Sequence, residues 1–433
     1  MASVGFAVGL GNIWRFPYVT GENGGSAFVL VYLACAFGIG VPILMAEIML
    51  GRRGGFTPPK SLASVAQESG HSQAWAILGH LNLLTAFAIL IAYGVVTGWV
   101  LYYLGLALTG ELIALDPQSS PMVFSNLLAD VGTLVVFTIV ALCIAGAIIY
   151  AGVEKGIERA VKLLMPMLFI LLSGLVVFNI FVGGMPETIA YLLTPDFSKV
   201  NASMVLAAVG QAFFSIGVAM AGMMIFGAYL PKDISIGTSA IIIVSADTLV
   251  ALLAGFVIFP MVFANGLDPA GGTGLIFQTL PLAFAQMPAG YLVSVLFFLL
   301  LSVAAITSVV GLCEPLAAWL VERTGWHRQR AAVVVIVAIA IAGLVSVLSF
   351  NHWSSVMLFG LTLSEFLDFV PNQILLPLGG LLIAVFAGWV MKAEFSQQEL
   401  ALGSQALFKL WYNLVRFLVV PAVAIIFVAG LLS

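Results

Sequence analysis

GFAVGLGNIWRFPY, residues Gly5–Tyr18, is the stretch on which the fold turns. It begins as an apolar membrane segment and then carries Gly5, Gly9, Gly11, Asn12 and Arg15. None of these suits a helix that faces lipid. Glycine inside a helix costs roughly 1 kcal/mol relative to alanine and bares backbone groups. An arginine at mid-bilayer costs about 2.5–3.5 kcal/mol on the insertion scale. Bared backbone at membrane depth is tolerated only where it lines a cavity or a site. The stretch therefore reads as a binding site built from a broken helix.

The rest of the chain agrees with a membrane setting. Of 433 residues, 62% are hydrophobic and 8% charged, against roughly 25% charged in a soluble domain. This is an all-α polytopic membrane protein whose first partner is the lipid bilayer. The net charge of −4 says nothing about a nucleic-acid partner, and none is expected. Cys35, Cys143 and Cys313 lie in apolar segments and read as small core residues, an odd number that suits no disulfide framework. The first segment lacks the basic flank of a cleavable signal peptide.

Apolar windows of about 20 residues predict eleven spans. They fall at about 2–20, 26–50, 80–109, 131–150, 157–183, 203–229, 237–264, 289–321, 331–349, 367–391 and 407–431. Residues 268–288, with Pro269, Gly271, Gly272, Gly274 and Pro281, are expected to form a structured loop with the makings of a lid. With the N-terminus inside, Arg52, Arg53, Lys60, Lys155, Arg159, Lys162, Lys232, Arg323, Arg328, Arg330 and Lys392 all fall in cytoplasmic connections. Lys409 and Arg416 enter the last span from that side, and only Arg15 and Lys199 lie elsewhere.

A second span looks broken. GQAFFSIGVAMAGMMIFGAYL, residues 210–230, sets Gly217 and Gly222 around a run of small residues. Spans one and six are five apart, so they run in opposite directions. That is the requirement of a 5+5 inverted repeat, with a midplane site where the two broken helices meet. The predicted organisation is one transporter domain: residues 1–183, an inverted copy at 203–391, and an additional eleventh helix at 407–431.

Arg15, Glu47, Asp247, Glu314 and Asp368 are ionisable residues within or beside apolar spans. Each could be half of a structural pair or a snorkelling side chain. Arg15 and Asp368 both lie toward the outer side and could pair across an opening. Glu47 and Glu314 lie deeper and could accept hydrogen bonds from amides freed by a helix break. Asp247, in IIIVSADTLVALLAGF, has no basic residue within a helical turn. It needs a cation, a proton or a distant partner, and a cation is favoured because other oxygen ligands are at hand. In AAITSVVGLCEP, Thr307 and Ser308 stand beside Ala304. Hydroxyls and free carbonyls suit a hard monovalent cation, although helix–helix hydrogen bonding alone would explain them.

VGLGNIWRFPY, then ENGG, then GRRGG after the second span, closely resembles the neurotransmitter:sodium symporter family. GQAFFS in the sixth span and the Thr307–Ser308 pair in the eighth fit the same pattern, in consistent order along the chain. The resemblance implies two Na⁺ sites. The first would use Ala7, Asn12, Ser215 and Asp247 with the substrate carboxylate. The second would use Gly5, Val8, Ala304, Thr307 and Ser308. The carboxylate would meet amides near Gly9 and Gly11 and the hydroxyl of Tyr93, as an anion does at a half-helix N-terminus. Ile89, Phe214, Gly217, Met220, Ser308 and Leu312 would line the side-chain pocket. Arg15 and Asp368 would form the outer gate, and Glu322 would belong to the inner one.

Departures from the family pattern refine the expectation. Monoamine carriers have an aspartate where this chain has Gly9, so an amino-acid substrate follows. Chloride-dependent members typically have asparagine at the position of Asp247, so chloride independence follows. Ala219 and Ala221 replace two glycines and are expected to reshape the pocket, with a hydrophobic side chain still favoured. About eight residues precede the break, about 12 Å of helix, short of half a hydrocarbon core at about 15 Å. The chain is expected either to start upstream of Met1, which is favoured, or to be a truncated form with a leaky inner gate, and Glu322 is expected to lack the basic leader residue that the family pattern supplies. The function expected is Na⁺-coupled amino-acid symport in a bacterial inner membrane, with Na⁺ the only cofactor-like species. The alternatives are a non-transporting amino-acid sensor on the same scaffold and an intramembrane enzyme. The enzyme is disfavoured because His71, His80, His327 and His352 lie in or near connections and neither HExxH nor GxSxG occurs.

Overall fold

The computed structural model describes residues 2–270, 272 and 274–432. Met1, on which the expected start bears, and Gly271 and Thr273 lie outside the described residues. Among the described residues, nine helices are long and apolar enough to cross a membrane: Ser26–Gly54, Gln73–Thr109, Val131–Tyr150, Gly156–Phe181, Ile236–Ala264, Gly290–Thr324, Arg328–Ser349, Leu363–Val390 and Gln405–Ala429. Two interrupted spans complete the set of eleven. Span one is Ala2–Ala7, a bend at Val8–Gly9, then the π-turn Gly11–Arg15 and Phe16–Glu22. Span six is Ala202–Ile216 and Gly222–Ala228.

Both breaks have local causes. Gly217 ends the first half of span six at φ +77, its N–H donating to the Phe213 carbonyl at 3.1 Å. Ala219 and Ala221 follow at φ +62 and +64, a left-handed geometry that costs an alanine about 1–2 kcal/mol. The surroundings hold them there. Ala219 N–H donates to the buried Glu47 carboxylate at 3.0 Å, and the two halves pack against spans two, seven, eight and ten.

Several connections carry structure beyond the expectation. Residues Pro58–Glu68 form a helix, with Pro58 at its first turn and Leu62, Val65 and Ala66 buried beneath it. Span three starts at Gln73, earlier than expected, through a capped turn at Ser72. The stretch 268–288 contains a π-turn at Leu275–Thr279 and a helix at Leu280–Gln286 with Pro281 in its first turn. Tyr103 and Ser120 hydroxyls clamp it by donating to the carbonyls of Phe277 and Gln278. A short hairpin, Met357–Leu358 with Leu361–Thr362, joins spans nine and ten.

Candidate functional site

The two breaks face each other across a fully buried polar cluster. Asn12, in the π-turn of span one, donates from Nδ2 to Ser215 Oγ at 3.0 Å, Asp247 Oδ1 at 2.6 Å and the Asp247 carbonyl at 2.8 Å. Ser215, one residue before the end of the first half of span six, donates to Asp247 Oδ1 at 2.8 Å. Tyr32 of span two donates to Asp247 Oδ2 at 3.2 Å. Asp247 is 0% exposed, and among the described residues no basic group stands within ion-pair distance of it. An unpaired buried charge costs several kcal/mol, so this carboxylate calls for a cation or a proton.

Asn12 Oδ1 accepts from the Gly9 N–H at 2.8 Å. The Gly9 amide, expected to hold a substrate carboxylate, is thus already engaged. The second oxygen set lies beside it. A methyl placed on Gly9 would stand 1.8 Å from Ser308 Oγ and 3.3 Å from the Ala304 carbonyl. Thr307 Oγ1 donates to the carbonyls of Val303 and Ala304, both at 3.0 Å, and Ser308 Oγ donates to Ala304 O at 3.1 Å. Each hydroxyl therefore bonds within its own helix, which leaves lone pairs for another ligand. Gly5 and Val8 lie in and after the first half of span one, and Gly5 abuts Val161 of span five.

A cavity next to this cluster is lined by Phe6, Ala7, Gly11, Ile89, Tyr93, Phe214, Ser215, Gly217, Met220, Ser308 and Leu312. The structure thus gathers every residue expected at the pocket except Gly9, and adds Phe6. It leaves about 20 Å³ for water centres, room for a water or two. Phe6 fills a notch cut by three glycines. Added methyls on Gly217, Gly222 and Gly311 would stand 2.5, 2.6 and 2.2 Å from its ring. Tyr93 and Phe214 face each other with ring centroids 6.4 Å apart. Ala219 and Ala221 do not line the cavity. Ala219 turns its methyl toward Gly379 of span ten, so the methyls do not narrow the cavity directly, and any reshaping comes through the backbone path.

The outer pair is corrected. Arg15 does not reach Asp368. It donates to Gln211 Oε1 at 2.9 Å and lies 4.7 Å over the Phe214 ring. Asp368 Oδ1 accepts from Asn372 at 2.8 Å. Gln211 passes the contact on by donating to the Gly11 carbonyl at 3.0 Å. At the opposite end Glu322 finds partners elsewhere in the chain. Its Oε2 accepts from Thr57 N–H at 2.8 Å, and Lys60 Nζ lies 3.2 Å from Oε1, off the line of a hydrogen bond. Glu47 accepts from the span-six break as expected, whereas Glu314 instead pairs with Arg328 and accepts from the Tyr229 hydroxyl at 3.1 Å.

Tyr32, Gln211 and Phe6 escaped the sequence reading as site residues. Gln211 lies within GQAFFS and Phe6 within Gly5–Tyr18. Nothing in the sequence marks Tyr32, because its link to Asp247 spans 215 positions.

The pattern that describes the sodium:neurotransmitter symporter family matches residues 1–116 and 118–432. A sodium-dependent transporter of Haemophilus influenzae is 33% identical over 438 residues, covering 100% of this chain and 96% of that protein. The sodium-dependent transporter YhdH of Bacillus subtilis is 34% identical over 438 residues, with the same coverage. The crystal structure of MhsT in complex with L-phenylalanine superposes with a TM-score of 0.92 at 38% identity, covering 99% of this chain and 97% of that one. With broken first and sixth spans meeting at a buried acid, and with relatives matched from end to end, this chain belongs to the sodium:neurotransmitter symporter family and is a transporter, not an enzyme.

Proposed function

We propose that this protein is a chloride-independent symporter that couples inward Na⁺ movement to uptake of an amino acid with a hydrophobic side chain. The observation that carries the reading is Asp247, a buried carboxylate with donors from spans one, two and six and no basic partner among the described residues. One Na⁺ takes the place of the missing cation, held by the Ala7 carbonyl, Asn12, Ser215 and Asp247 together with the substrate carboxylate. A second is held by Gly5, Val8, Ala304, Thr307 and Ser308. Opposite charges 4 Å apart attract by about 4 kcal/mol at an effective dielectric of 20, and this attraction links cation binding to substrate binding. The fixed charge of Asp247 makes a bound chloride unnecessary. Uptake that collapses when chloride is exchanged for gluconate would overturn that point.

The substrate carboxylate meets the Gly11 side of the break and the Tyr93 hydroxyl. Its side chain enters among Phe6, Ile89, Phe214, Met220 and Leu312, whose apolar walls favour a hydrophobic group. The solved relative with L-phenylalanine bound supports an amino acid as cargo. The cavity must widen to admit one, so binding and movement of Phe214 and Phe6 go together. Residues 1–183 and 203–391 form the two repeats, and spans one, two, six and seven rock against the rest to expose the site to each side in turn. The basic connections face the cytoplasm of a bacterial inner membrane, with the N-terminus on that side.

A thermal-shift screen of the twenty amino acids with Na⁺ or K⁺, followed by uptake into proteoliposomes, tests the reading. Stabilisation by one or a few apolar amino acids, in Na⁺ only and with Na⁺-driven uptake, is expected. Equal stabilisation in K⁺ refutes Na⁺ coupling. Na⁺-dependent binding without uptake points to a sensor.

A further inference from the structure

The hairpin between spans nine and ten has almost no protein cover. Its tip residue, Phe359, is 94% exposed and held at φ +52, a left-handed geometry strained for a side chain. The ring stacks on Phe366, with centroids 6.1 Å apart. Trp353, Val356, Met357 and Leu358 are exposed as well. From Ala331 to Ser364 the chain contains no Asp, Glu, Lys or Arg. His352, Ser354 and Ser355 are exposed beside them, yet an uncharged surface with this much exposed apolar area marks a contact with something other than water.

The surface that it prolongs identifies the contact. Val333, Val337, Ile341 and Leu344 form an exposed stripe at helical spacing on span nine, and every exposed residue between Ala331 and Ser349 is apolar. That stripe is the lipid face of the span. Ser349, the last helical residue, lies only about 7.5 Å further along the axis than Leu344. The chain then turns back at once, Trp353 N–H donating to the Leu348 carbonyl at 2.8 Å. The hairpin thus leaves the helix near the depth at which hydrocarbon gives way to headgroups, where tryptophan and other aromatic rings settle.

We propose that residues 353–360 are an interfacial anchor, with the Phe359 tip seated among the lipid headgroups and upper acyl chains of the leaflet at the Arg15–Asp368 end. Both strands pack on Leu363–Phe369, the first helical turns of span ten, which carry Asp368. The anchor therefore ties the outer half of that span to the membrane surface. Its partner is the lipid itself: residues 353–360 carry no charge, and the nearest carboxylate, Glu365, accepts from the Thr362 N–H and hydroxyl at the foot of the hairpin.

Site-directed spin labelling tests this in liposomes. Cys143 is exposed and is replaced by alanine, whereas Cys35 and Cys313 are buried and are kept. Nitroxides are placed at Phe359→Cys, at Ile341→Cys on the lipid stripe, and at Gln118→Cys on an exposed connection. The ratio of collisions with oxygen to collisions with a water-soluble nickel chelate is compared. The ratio at 359 is expected to lie above that at 118 and below that at 341. A ratio equal to that at 118 places the tip in water and overturns the proposal. So does a label shielded from both reagents, which places the tip against protein, whether a second copy or the gate. A second measurement needs no label. Phe359→Trp adds an indole that brominated phospholipid is expected to quench, and an added emission that bromine leaves untouched also overturns the anchor.

Discussion

Gly9→Ala tests the join between the two oxygen sets. The added methyl would stand 1.8 Å from Ser308 Oγ and 3.2 Å from Ser308 Cβ. The hydroxyl must swing away, and in doing so it gives up its bond to the Ala304 carbonyl and the orientation in which it could ligate a cation. Overpacking a tight site costs about 1–3 kcal/mol, which corresponds to roughly a 5- to 150-fold loss in Na⁺ affinity at 1.36 kcal/mol per tenfold. The assay is the half-saturating Na⁺ concentration for substrate-induced thermal stabilisation. Ser308→Ala alone removes the obstructing oxygen and with it one proposed ligand. If the methyl acts through Ser308, the double variant binds Na⁺ about as Ser308→Ala does, and the cycle shows clear coupling. Additive losses would mean that Gly9 matters for another reason, and an unchanged half-saturation in Gly9→Ala would refute the packing argument outright.

Asp247→Asn keeps the shape of the cluster and removes its charge. Hydrogen bonds to a charged group contribute about 1.5–3 kcal/mol, so half-saturating Na⁺ should rise roughly 10- to 150-fold, with chloride becoming stimulatory. An unaltered Na⁺ response that ignores chloride contradicts the assignment. Glu47→Ala leaves the Ala219 amide without its acceptor and should lower stability by about 1–3 kcal/mol. Glu47→Gln keeps an acceptor oxygen and should lose less, as read by melting in detergent. Equal losses would show that Ala219 is not what Glu47 serves. Phe6→Ala empties the three-glycine notch and should move the competition order toward larger aromatic amino acids, whereas an unchanged order would remove Phe6 from the side-chain pocket.

Much of the fold was legible because its signals are local. Apolar windows locate the spans, and glycines with polar residues at membrane depth locate both breaks. The connections were less legible. Pro58–Glu68 is a short amphipathic helix with Lys60 and Glu68 on it, and its polarity reads as loop until the buried faces of Leu62 and Val65 are seen. In the site, the sequence pattern led to the residues but not to their partners. Arg15 and Asp368 share a side of the membrane by topology, yet Gln211 is nearer to the guanidinium, and nothing in the spacing ranks one against the other. Lys60 reaches Glu322 through a turn whose path only the folded chain defines.

Ala219 and Ala221 give the break in span six a property that glycines would not. A glycine linker samples both hands of backbone space when unconstrained, and a ligand that needs one shape must freeze the others out. With Ala219 pinned in the left-handed region by Glu47 and span ten, and Ala221 at the same φ, the linker has fewer shapes available. Less entropy is then left to lose when cargo binds. The consequence is a calorimetric one. Replacing both alanines with glycine should make substrate binding more entropically opposed, even where the walls of the cavity are unchanged.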